Sequence, residues 1–139
     1  MRNVRNYDVF KLADRLALQL YRATARFPKE ETYGLASQMR RAALSIPLNL
    51  VEGAARTSGR DFAHFVDIAA GSCEEVRYHV HVAEELGYMK PDDYRRMDRE
   101  YENVMKMLNR LRGMVRGAGS RSAVAGRTAN SEQREASEE

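Results

Sequence analysis

The chain lacks most of what would build a disulfide-stapled, membrane-spanning or β-rich protein. It has one cysteine in 139 residues, so no internal disulfide can form, which fits a reducing cytoplasmic setting. Its N-terminal stretch, MRNVRNYDVFKLADRL, interrupts every apolar run with charge and reads as neither signal peptide nor membrane span. No later apolar run exceeds a few residues, so we expect a soluble cytoplasmic protein with no membrane partner. No segment sustains period-two alternation, and no hairpin dipeptide stands between branched runs, which argues against strands.

Catalytic patterns are missing as well. A di-metal bundle needs Glu-x-x-His pairs converging on its core, and none is present. Glu75 and His79 stand four apart, but helical geometry sends His64, His79 and His81 in different directions, none along the centre of an apolar stripe. They read as solvated histidines, not metal ligands. Small helical RNases place four to six residues between an Arg and a His; here Arg56 to His64 leaves seven and Arg60 to His64 leaves three. No Gly-rich phosphate loop, nucleophile elbow or Cys–His arrangement occurs. The expectation is no enzyme, no metal and no cofactor, with Cys73 a small core residue.

What is present is helical periodicity. Val9, Leu12, Ala13, Leu16, Leu20 and Tyr21 follow three-four spacing over residues 7–26, until FPKEETYG breaks it with Pro28 and Gly34. A second helix is predicted from Thr32 to Arg56. A third begins at Ser58, where SGRD supplies a cap and an acid three residues on, carries the stripe Phe62, Phe65, Ala69, Cys73, Val76, Val80 and Ala83, and ends at Gly87. A fourth starts at Pro91 with two acids in its first turn and is marked by Tyr94, Met97, Tyr101, Val104, Met105, Leu108 and Leu111. Long helices joined by short turns define an all-α, up-down-up-down four-helix bundle over residues 1–116. From Gly117 the chain is Gly-, Ser- and Ala-rich, without the apolar content to offset its ordering entropy, and residues 117–139 are expected to form a disordered polar tail.

The second helix departs from a single apolar stripe. Leu35, Met39, Ala42, Ala43, Ile46 and Leu50 form one apolar face. Leu44, Leu48, Val51 and Ala55 form another on roughly the opposite side, with Pro47 and Arg40 at its edge. Gln38, Arg41, Ser45, Asn49, Glu52 and Arg56 make a polar strip between them. A bundle core accepts only one such face, so the second implies a subunit interface through Leu44, Leu48 and Val51, or an enclosed position. Pro47 lacks the N–H owed to the Ala43 carbonyl, so a kink is expected there, with Ser45 or Asn49 supplying the missing donor. That kink either is only structural or presents Arg40 and Arg41 at a binding groove. The run Ala69–Ser72 is small enough to admit a close neighbour, and Glu75 beyond it either pairs with an arginine of the second helix or is solvated.

Residues 1–116 carry 20 Lys+Arg against 16 Asp+Glu, a balance of +4, mostly as Arg; residues 117–139 carry 3 against 4. Arginine suits phosphate but equally suits carboxylates, so this charge permits nucleic-acid binding without demanding it. The candidate contacts are Arg40, Arg41, Arg56 and Arg60; the competing reading is a protein-interaction scaffold whose arginines only make salt bridges.

The block FPKEETYGLASQMRRAALSIPLNLVEGAAR, with FAHFVDIAAGSCEE and ELGYM, closely resembles the four-helix-bundle family of intervening-sequence proteins, whose genes lie inside intervening sequences of large-subunit ribosomal RNA genes. The resemblance spans roughly residues 5–115 and is most specific between Phe27 and Gly53. The family is in turn similar to the accessory variability proteins of diversity-generating retroelements. The resemblance implies a barrel-shaped homopentamer with no enzymatic activity, and, through the retroelement relatives, RNA or DNA and a reverse transcriptase as partners. Where the family commonly has a Ser cap at the fourth helix, this chain has Lys90.

Overall fold

The structure, a computed structural model, describes residues 2–138, with side chains for residues 2–117. A 3-10 turn at Val4–Asn6 leads into α1 (Asp8–Thr24); a second at Lys29–Glu31 precedes α2 (Leu35–Ala54), and α3 (Gly59–Glu85) and α4 (Pro91–Glu138) complete the chain. No strand occurs among the described residues. Of the tail expected to be disordered, residues 117–139, all but the first residue lie outside the part described to side-chain level. α2 packs most extensively on α3 and α3 on α4, while α1 closes the bundle against α2 and, more thinly, α4.

Each terminus is set by local chemistry. In the last turn of α1 the Thr24 hydroxyl donates back to the Leu20 carbonyl at 2.7 Å. α2 starts three residues later than periodicity predicts, because Glu31 caps it: its Oε2 accepts the Leu35 N–H at 3.0 Å. Ser58 caps α3 as its spacing predicts, accepting the Asp61 N–H at 3.1 Å. α3 closes on a Schellman motif, with Gly87 at φ 76°, its N–H on the Glu84 carbonyl and that of Tyr88 on the Ala83 carbonyl.

The core follows the predicted stripes with two corrections. Phe62, Ala69, Cys73, Val76, Val80 and Ala83 of α3 are buried against Leu16 and Leu20, Met39, Ile46 and Leu50, and Met97, Tyr101, Val104 and Leu108. Tyr21 stands outside the core, on the surface of α1. Pro47, expected at the edge of the second apolar face, is buried on the first. Cys73 donates to the Tyr101 carbonyl at 3.2 Å, and burial pushes its thiol up to about 12, leaving it protonated and unreactive.

α2 and α3 approach closely, but the residue that demands it is on α2. A Cβ on Gly53 would fall 2.8 Å from the Phe65 Cβ and 3.2 Å from the Phe62 Cδ1. Gly71, inside the small run of α3, has open space around it. Ser45 and Ser72 meet at 2.7 Å across the same seam. Pairing Gly53 with Phe65 and Ser45 with Ser72 sets α2 and α3 antiparallel.

Candidate nucleic-acid interface

The two faces of α2 separate as its pattern implies. Met39, Ala42, Ala43, Ile46 and Leu50 are buried, whereas Leu44 is 40% and Leu48 57% exposed and Val51 is half-buried. Leu18 of α1, one turn before the exposed Tyr21, is also half exposed.

The four candidate arginines do not form one group. Arg40 is committed inside the molecule: its Nε donates to Thr24 Oγ1 at 2.8 Å, Nη2 donates to the Tyr21 carbonyl at 3.1 Å, and its guanidinium lies 4.7 Å from the Tyr21 ring centroid. It ties α2 to the C-terminal carbonyls of α1, where a cation is favoured. Arg41 and Arg60 are exposed and make no ion pair among the described residues. Arg41 is therefore no buried partner of Glu52 or Glu75. Arg56 is exposed and stacked 4.9 Å above Phe65, while its carbonyl accepts from Arg2, whose guanidinium covers Phe62. Arg56 and Arg60 thus flank the α2–α3 turn, and Arg41 sits further along α2.

The polar strip is organised by Asn49. Its Nδ2 donates to the Ser45 carbonyl at 2.7 Å and to Ser45 Oγ at 2.9 Å, and Ser45 in turn bonds Ser72. The expected donor to the Ala43 carbonyl is not what Asn49 provides; it serves the turn after it, and α2 continues through Pro47 without a break in its helical assignment. Glu52 is exposed. Alongside, a groove of about 380 Å³ is lined by Gln38, Arg41, Ala42, Ser45, Ser72, Glu75 and His79. His79, read from sequence as solvated, is half-buried there: its Nδ1 has no hydrogen-bond partner among the described residues. Burial lowers its pKa from 6.5, and the nearby Glu75 partly opposes that shift.

Five other arginines are paired with acids. Arg77 donates to Asp98 at 3.0 Å, a hydrogen bond that raises the arginine's pKa, and Arg112 and Arg116 both reach Asp67. Arg15 approaches Glu100, and Arg95 pairs with Asp92. The pairs of Arg77, Arg112 and Arg116 join α4 to α3, that of Arg15 joins α1 to α4, and Arg95–Asp92 lies within α4. Sequence reading missed one other basic group, Arg22, Arg26, Lys90 and Arg96, because its members come from the two ends of the chain's bundle segment. Only folding brings the end of α1 beside the start of α4.

Among the described residues, no three His, Cys, Asp or Glu side chains stand together as a metal site would require, and no helix is long and apolar enough to cross a membrane. The fold and its surface therefore define an all-α four-helix bundle with an unpartnered apolar face and scattered free arginines. Over residues 5–110 the sequence matches the family described as 23S rRNA-intervening sequence protein, and the chain belongs to that family. The fold is similar to that of a protein of unknown function from the S23 ribosomal protein family of Bacteroides thetaiotaomicron. The TM-score is 0.70 at 19% sequence identity, covering 76% of this chain and 95% of that one. No curated protein matches the chain.

Proposed function

We propose that this protein is a non-enzymatic, self-assembling bundle that binds RNA or DNA through a basic surface formed when its copies come together as a ring, a pentamer on the family resemblance. The observation that carries the reading is an uncovered apolar face on α2, Leu44 and Leu48, together with arginines that no carboxylate neutralises, Arg41 on the same helix and Arg56 and Arg60 at the α2–α3 turn. Closed symmetry repeats each free cation once per subunit, so small charges sum into a local potential. Arg40 has no part in it, being held by Thr24 and Tyr21. If the gene sits in a retroelement, a reverse transcriptase is the expected protein partner.

The competing reading is a protein-interaction scaffold, favoured by the same apolar face and by the many arginines already spent on Asp67, Asp98 and Glu100. A salt-titrated binding assay against structured RNA and duplex DNA decides between them. The nucleic-acid reading requires affinity that falls log-linearly with salt and a slope that shrinks in Arg41→Glu. Affinity absent at low salt leaves the scaffold.

A further inference from the structure

At the end of the bundle where α1 finishes and α4 begins lies a groove of about 470 Å³, a size typical of small-molecule sites, which span roughly 300–1,000 Å³. Arg22 reaches it from the last turn of α1 and Arg26 from the turn just after; Lys90 and Arg96 reach it from the start of α4. The side chains of Arg22, Arg26 and Lys90 make no ion pair or hydrogen bond among the described residues. Arg96 donates only to Gln19 Oε1, at 3.1 Å. Asp93 is the one carboxylate in the lining. This differs from the α3–α4 seam, where each arginine meets an acid.

The same groove has an apolar part. Phe27 and Tyr88 lie with ring centroids 5.4 Å apart at 44°, beside the buried Met89 and Met97. Gly87 causes this arrangement, since its left-handed turn is what swings Tyr88 back from the end of α3. Unpaired cations beside an aromatic pair match a ligand that is itself split into an anionic group and a flat ring. Guanidinium forks bind phosphate oxygens in pairs, and a base stacks on an aromatic face. A bare anion would leave the Phe27–Tyr88 pair unused.

We infer that this groove binds a nucleotide unit, a phosphate with its attached base, either free or at the phosphorylated end of a nucleic-acid strand. The inference goes beyond the function proposed above, because it needs neither ring assembly nor a long nucleic acid. Phosphate falls to Arg22, Arg26 and Lys90, and the base to Tyr88, while Asp93 works against the charge of the ligand.

Calorimetric titration of the full chain tests it, with adenosine monophosphate, inorganic phosphate, a 5′-phosphorylated RNA hexamer and its 5′-hydroxyl counterpart as probes. Saturable binding of the monophosphate, at least tenfold tighter than inorganic phosphate, identifies a free nucleotide. Binding of the phosphorylated hexamer alone, with the hydroxyl form at least tenfold weaker, identifies a strand end. In either case Arg22→Glu/Arg26→Glu should weaken binding at least tenfold, and Asp93→Asn should tighten it a few-fold. Lys90→Ala, in the short turn before α4, should weaken binding several-fold and serves if the double reversal perturbs folding. No saturation by either nucleotide probe at millimolar concentration overturns the inference, as does binding that survives both the double reversal and Lys90→Ala. Long RNA or duplex binding that depends on Arg41 and not on Arg22 and Arg26 bears on the proposed function alone.

Discussion

The two apolar faces of α2 have opposite fates within the bundle. The face of Met39, Ile46 and Leu50 is sealed by α1 and α3, while Leu44 and Leu48, equally apolar and only a third of a turn or so from buried neighbours, remain at the surface. Periodicity measures how apolar a face is, and geometry decides which face the bundle can cover. Leu44 and Leu48 are therefore the part of the core pattern that the bundle leaves unused.

The largest effects should fall on the sealed face. Ile46→Ala empties a fully buried position and should cost about 2–5 kcal/mol, read as a lower melting temperature with the bundle still helical. Gly53→Ala sharpens the contrast inside the same helix. Its Cβ collides with the Phe65 Cβ, an overpacking cost of about 1–3 kcal/mol set against about 1 kcal/mol of gained helix propensity. The expected net is a loss. Gly71→Ala meets nothing within 4 Å on exposed α3, so propensity alone acts and stability should rise by about 0.5–1 kcal/mol. Equal effects from the two glycine substitutions would break the close-approach account of the α2–α3 seam.

On the uncovered face, Leu48→Glu should change assembly and not the fold. Sedimentation should show a smaller species than the unmodified protein, with helicity retained and the intrinsic stability of the subunit shifted by no more than about 0.5 kcal/mol. Any further drop in melting temperature should depend on protein concentration, as loss of a partner demands. An unmodified chain that sediments as a monomer would remove the reason for treating Leu44, Leu48 and Val51 as an interface.

These contrasts also mark what the sequence could reveal. Helix positions, the Ser58 cap, the Gly87 stop and the core stripe of α3 were legible because each rests on residues a few positions apart. The start of α2 was misplaced by three residues because its cap, Glu31, acts from outside the predicted cap position. Arg40 looked like its neighbour Arg41, yet one is clasped by the end of α1 and the other faces solvent, and nothing local distinguishes them. Pro47 reads from sequence as an edge position because its neighbours Ile46 and Leu48 lie on opposite faces, and only the packed helix shows that it is buried. The groove of Arg22, Arg26, Lys90 and Arg96 was invisible, since about 70 residues separate its two halves in the chain.

The smallest expected effect concerns His79, the one histidine that folding half-buries beside Arg41 and Glu75. Burial disfavours its charged form, so the folded chain binds a proton there less readily than the unfolded chain does. Above pH 6.5 the group is neutral in both states and contributes nothing to the pH dependence. As pH falls below 6.5 the unfolded state takes up the proton first, and stability declines until the folded-state pKa is passed, where the loss levels off. Because the ring is only partly buried and Glu75 partly compensates, the penalty should amount to a melting shift of about 1–2 °C between pH 7 and pH 5. His79→Gln keeps a polar side chain there without a titrating group, so its melting temperature should fall less over that interval. Glu75→Gln removes the favourable charge and should enlarge the decline in a protein that retains His79. Identical pH profiles for the unmodified chain and His79→Gln would mean that the imidazole meets the same surroundings folded and unfolded, contrary to its place in the α2–α3 groove.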